Sequence, residues 1–120
     1  MSGHAATRLS VPPKYPGRVR AGIYGVVAAF AEAGLDPSEA IRTLREASRA
    51  SDTGSGDEMG AVLDRISAGE GGLGARMLSA FAQVSPEERA LLAGVDMTRG
   101  RECAPLFARA ASIAAASQRP

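Results

Sequence analysis

The stretch AGIYGVVAAFAEAGLDPSEAIRTL, residues 21–44, decides the fold. Its first half is apolar enough to suggest a membrane span. The uninterrupted run covers only residues 21–31, however. A spanning helix needs about 20 apolar residues, and shorter runs belong to cores. Ile23, Val26, Val27, Phe30 and Ala31 recur at three- and four-residue steps, so the segment predicts a helix with one buried stripe. Gly34 suits the left-handed position that ends such a helix. Asp36 can then cap a second helix, with Pro37 at its first position and Glu39 placed for a capping box. Ala40, Ile41, Leu44 and Ala47 form the second stripe, and Arg42 and Glu46 are spaced to pair on its outer side. The stretch therefore reads as two helices, antiparallel across a tight turn.

The same pattern continues outward. Residues 1–17 hold Pro12, Pro13, Pro16 and Gly17 without periodicity and read as a flexible lead. SRASDTGSGDE, residues 48–58, reads as a loop, with Ser55 and Glu58 capping a third helix along Met59, Val62, Leu63 and Ile66. The glycines of AGEGGLG, residues 68–74, end it. Leu73, Met77, Leu78 and Phe81 mark a short fourth helix. Ser85-Pro86-Glu87-Glu88 starts a fifth, whose stripe is Ala90, Leu91 and Val95. Leu106, Phe107, Ala110, Ile113 and Ala114 form the last, with Pro105 in its first turn or kinking it. No segment alternates with period two. The expected architecture is all-α: a compact bundle of six short antiparallel helices over residues 18–117, with a tail at 118–120.

Composition fits one small domain built on alanine. Hydrophobic residues make up 45% of the 120 residues but aromatics only 4%, so few large side chains fill the core. Fourteen basic residues against 13 acidic give a net charge of +1, which exerts no general pull on nucleic acid. The cations are uneven: Arg8, Lys14, Arg18 and Arg20 all precede the first acid, Glu32. Such a lead can touch phosphates, lipid or protein carboxylates. Cys103 is the one cysteine, which precludes an internal disulfide and suits a reducing compartment.

No reaction is legible. His4, the one histidine, lies in the lead, where nothing would hold an imidazole for a Ser–His–Asp or Cys–His site. The clustered Cys and His of a zinc site are missing. GEGGLGAR, residues 69–76, lacks the Gly-Lys-Ser/Thr ending of a phosphate loop and follows no strand, so it reads as a turn. DTGSGDE, residues 52–58, departs from a calcium loop at its fifth position and has Leu63 where the bidentate Glu belongs. Glu87 and Glu88 read as first-turn helix charges, and Cys103 as a buried structural thiol. The expectation is no catalytic residue, no cofactor and no metal.

Three segments carry a family resemblance. AEAGLDPSEAIRTL (residues 31–44) resembles an Ala-Gly-Leu, short turn, Glu-Ala-Ile/Leu-x-x-Leu pattern. VLDRISAGEGGLGARMLSAFAQVSPEERALLAGV (residues 62–95) resembles a helix, Gly-rich turn, amphipathic helix ending in Phe, and proline-acidic helix start. LFARAASIAAA (residues 106–116) resembles a closing helix. Together they are similar to the N-terminal cytoplasmic domain of the type II secretion system F family, the inner-membrane platform proteins of type II secretion and type IV pilus machines. AGVDMTRGRECAPL (residues 93–106) departs from the family's Ala-Gly-Glu-x-Ser/Thr-Gly, and Asp96 is its nearest acid to that glutamate.

The resemblance implies a six-helix, non-enzymatic domain at the cytoplasmic face of a bacterial inner membrane. It implies tethering by transmembrane helices outside this chain. The implied role is a scaffold or adaptor that docks the secretion or pilus assembly ATPase and neighbouring membrane subunits. Arg42, Arg45, Glu46, Arg49, Asp64 and Arg65 are the candidate partner surface. An alanine-rich face leaves homodimerisation open. The rival reading is a small helical nucleic-acid binder using the Arg-rich lead, against which stand the near-zero net charge and the acids Glu39 and Glu46.

Overall fold

The computed structural model describes residues 16–50, 54–81 and 84–117. Six α-helices occupy them: α1 (Pro16–Glu32), α2 (Pro37–Ala50), α3 (Gly54–Ala68), α4 (Leu73–Ala80), α5 (Pro86–Val95) and α6 (Ala104–Ala116). A 3₁₀ turn, Gly100–Cys103, leads into α6. No strand occurs among the described residues. The chain is an all-α bundle, as the periodicity predicts. No described helix is long and apolar enough to cross a membrane.

Local signals account for the boundaries. Pro16 opens α1, two residues earlier than expected, since a proline at the first position loses no helical hydrogen bond. Gly34, at φ 82°, closes it. The amide of Leu35 donates to the Phe30 carbonyl at 2.9 Å and that of Gly34 to the Ala31 carbonyl at 3.0 Å, which satisfies two terminal carbonyls together. Asp36 Oδ1 accepts from the Ser38 amide at 2.9 Å and so caps α2. Pro105 is the second residue of α6 and lies within its first turn.

Three expectations need correction. Most of the stretch taken as loop at 48–58 is helical, because α2 runs to Ala50 and α3 starts at Gly54. The capping pair Ser55 and Glu58 and the lead at 1–15 lie outside the described side chains. In α2 the Glu39 side chain does not turn back to the cap; it pairs with Arg42 at 3.2 Å. Arg42 thus takes Glu39 one turn before it rather than Glu46 after it.

The core runs the length of the bundle. Its largest fully buried side chains include Tyr24, Phe107, Ile23, Leu63, Ile66, Met77 and Leu92. Each contributes about 1.5–3 kcal/mol by leaving water. The most extensive helix contact joins α1 to α6, the first described helix to the last. Alanines 31, 104, 110 and 114 are buried, which lets helix backbones approach closely. Tyr24 stands at the centre, edge-on to Phe81 at 5.6 Å and tilted against Phe107 at 6.3 Å. Some expected stripe members lie further out: Leu44, Val26 and Phe30 are half-buried, while Ala47 and Ala90 are exposed.

Candidate functional site

The six surface candidates separate into three groups. Arg42, Glu46 and Arg49 lie at steps of four and three along α2, on its exposed side. Arg45 leaves that row and crosses to α3, where its Nε donates to Asp64 Oδ1 at 3.0 Å. Arg65 points the other way: its Nη1 donates to the Ala80 carbonyl at 3.4 Å, at the end of α4. The structure therefore brings Arg45 and Asp64 together beside the Arg42–Glu39 pair. Arg65 belongs to the seam between α3 and α4. The resulting α2–α3 face is ionic, mixed in sign and solvent-facing. Exposed pairs of this kind contribute little stability, typically under about 1 kcal/mol each.

The strongest polar constellation lies elsewhere, in the core. Glu88, on the first turn of α5, is fully buried. Its carboxylate accepts from Arg20 Nε at 2.7 Å and from Arg20 Nη2 at 3.2 Å. It also accepts from the Tyr24 hydroxyl at 2.5 Å. Arg20 is itself only 5% exposed. Burial, and after it the hydrogen bond and charge of Glu88, push the Tyr24 phenol far above its ordinary range. Glu88 is thus no solvated first-turn charge. The Ser85 hydroxyl does accept from the Glu88 amide at 3.1 Å, yet the glutamate side chain turns inward rather than back to Ser85.

Helical spacing carries a hint of this cluster, in the burial of its members. Arg20 shares a face with Tyr24, Val27 and Ala31, and Glu88 with Leu92 and Val95, all of them buried. A cation and an anion, each at a core position of its own helix, imply one another, because neither can be buried alone.

The glycine-rich turn before α4 has a second internal carboxylate as its partner. Asp96, just past α5, accepts from the amides of Gly74 at 2.8 Å and Ala75 at 2.9 Å. Its charge sits on the positive end of α4 and complements the helix dipole there. The glycines make room for this: a Cβ on Gly72 would lie 2.5 Å from the Asp96 carboxyl, and one on Gly74 would lie 2.1 Å from the Leu92 carbonyl. The segment is a turn, as its sequence suggests, and its glycines also let α4 pack closely on α5.

An open cleft of about 240 Å³ lies at this end of the bundle, lined by Asp36, Ser38, Leu73, Asp96, Thr98 and Cys103 among others. Its polar groups are engaged locally. Asp36 caps α2, Asp96 caps α4, the Thr98 hydroxyl donates to the Val95 carbonyl at 2.7 Å, and Cys103 Sγ donates to the Gly100 carbonyl at 3.4 Å. Burial pushes the Cys103 thiol up, away from the reactive thiolate. No group of three or more potential metal ligands occurs among the described residues. The acid loop at 52–58 lies largely outside the described side chains.

No family model matches the chain, and no curated protein or solved structure matches it significantly.

Proposed function

We propose that the chain is a non-enzymatic scaffold or adaptor domain at the inner-membrane platform of a type IV pilus or type II secretion machine. It docks the cytoplasmic assembly ATPase and neighbouring membrane subunits through the α2–α3 face. The observation that carries this reading is the division of polar groups. Glu88, Arg20, Tyr24 and Asp96 are consumed in holding helices together, whereas Arg42, Glu46 and Arg49 face solvent in one row. The order of six helices and the Gly34 and Ser85 turns are consistent with the resemblance of residues 31–44 and 62–95 to that family. The same division weighs against nucleic-acid binding through the lead, since Arg20, one of its cations, is held inside by Glu88.

Titration calorimetry with a type IV pilus or type II secretion assembly ATPase tests the reading. Saturable binding is expected, weakened about tenfold or more, 1.4 kcal/mol, by charge reversal at Arg42 and Arg49 together. Neither substitution touches the core, so circular dichroism should be unchanged. Absence of binding to the intact hexamer would overturn the ATPase assignment. Salt-dependent binding to duplex DNA would support the rival instead.

A further inference from the structure

The outer side of α2 carries two rows of residues side by side. Arg42, Glu46 and Arg49 alternate in sign at steps of four and three, so they form one line about 10 Å long, parallel to the helix axis. All three are exposed. Thr43, Ala47 and Ala50 run beside them at the same steps and are also exposed. One row is charged and the other is small.

The neighbouring charges are partly neutralised within the chain. Arg45 pairs with Asp64 at 3.0 Å, and Arg42 with Glu39 at 3.2 Å, although the Arg42 side chain stays 67% exposed. Glu46 and Arg49 stand one turn apart yet form no ion pair among the described residues. Both charges are open to a partner.

We propose that α2 docks a single helix of the partner, which carries acid, base and acid in one row opposite Arg42, Glu46 and Arg49. The proposal rests on the docking function given above and names the chemistry of its partner. Charge complementarity selects this occupant. A uniformly acidic surface would suit both arginines but set a carboxylate against Glu46. A uniformly basic surface would repel both arginines. Like charges across an interface are costly and serve to reject wrong partners. A row of alternating sign pairs all three. The small row selects a helix as the element that carries it. Packed helix axes lie about 8–10 Å apart, closest where the facing side chains are small. Thr43, Ala47 and Ala50 let a partner helix approach until its charges reach across. Residues three and four apart share a helix face, so the partner's row has the same steps as that of α2.

The test is titration calorimetry of the full chain against a type IV pilus or type II secretion assembly ATPase, with circular dichroism as the check on folding. Glu46 is the deciding residue. Glu46→Arg is expected to weaken binding about tenfold or more, as Arg49→Glu does. Ala47→Trp is expected to weaken it by a similar factor, because the indole would hold the two helices apart. Ala47 is exposed, so this variant should keep its fold. If Glu46→Arg binds as tightly as the parent, or more tightly, the inference is overturned and the docking function stands. Unchanged binding by Ala47→Trp would remove the helix as the docked element and overturn the inference as well. If the parent chain does not bind, the docking function fails and the inference fails with it.

Discussion

Replacing Gly74 with alanine sets two rules of opposite sign against each other. Gly74 is the second residue of α4, and its φ is not positive. By helix propensity alone, alanine should stabilise the chain by up to about 1 kcal/mol. The packing says otherwise. An alanine Cβ would meet the Leu92 carbonyl oxygen at 2.1 Å and Asp96 Oδ1 at 3.0 Å. Leu92 is backbone within α5 and cannot rotate away, so α4 and α5 must part by about 1 Å or more to restore normal contact. That movement also pulls the Gly74 and Ala75 amides off the Asp96 carboxylate. Overpacking of this kind costs about 1–3 kcal/mol, and loss of the charged cap adds about 1 kcal/mol or more. The expected net effect is a loss of about 2–4 kcal/mol, a large share of a small domain's stability. Urea unfolding followed by circular dichroism measures it. Gly25→Ala is the control: it is exposed in the middle of α1 with nothing within 4 Å of the added Cβ, so it should gain about 0.5–1 kcal/mol. If Gly74→Ala were as stable as the parent, the close approach of α4 to α5 would be wrong.

Two further outcomes follow from the carboxylates. Asp96→Ala should cost about 1–2 kcal/mol by uncapping α4, and Gly72→Ala should be better tolerated in that background than in the parent, because its Cβ otherwise lies 2.5 Å from the Asp96 carboxyl. Additive effects in a double-mutant cycle would refute the contact. Tyr24 should make the domain alkali-sensitive. The folded state holds the phenolic proton far more tightly than the unfolded chain, so the stabilisation is complete below about pH 10. It is then lost at about 1.4 kcal/mol per pH unit as pH rises further. Phenolate absorbance checks this: of the two tyrosines, Tyr24 should ionise only with unfolding, and its ionisation in the intact fold near the ordinary value would refute its burial.

Helix number and most boundaries were legible because they rest on local chemistry. Gly34, Asp36-Pro37 and Ser85-Pro86 act within a turn of themselves, and neighbours in sequence suffice to read them. Leu63, Ile66, Met77 and Phe107 were equally plain from their spacing. The partners of charged residues were less so. Glu39 and Glu88 both sit where a capping box predicts a local bond, and both turn to arginines instead. For Glu88 the competing partners are Arg20 and Tyr24, more than 60 residues away in sequence. A local rule cannot see them, although the apolar faces those residues share hint at their burial. Asp96 escaped for the same reason: its ligand amides lie 22 and 21 residues earlier. On the surface, the α2 row could be placed from sequence, but the sideways bridge of Arg45 to Asp64 required the third dimension.

The pairing of α1 with α6 has a consequence for how the chain matures during synthesis. α1 is the first described helix to be made, yet its principal partner is the last. Glu88 follows Arg20 by 68 residues, so at about 5–20 residues per second Arg20 precedes its counter-ion by roughly 3–14 s. For that interval Ile23, Val27 and Phe30 have at most α2, α3 and α4 available to cover them. A nascent chain stalled before α5 would display an apolar, alanine-rich helix with an unneutralised arginine. That is the species a chaperone would meet, and it disappears only when the end of the domain arrives.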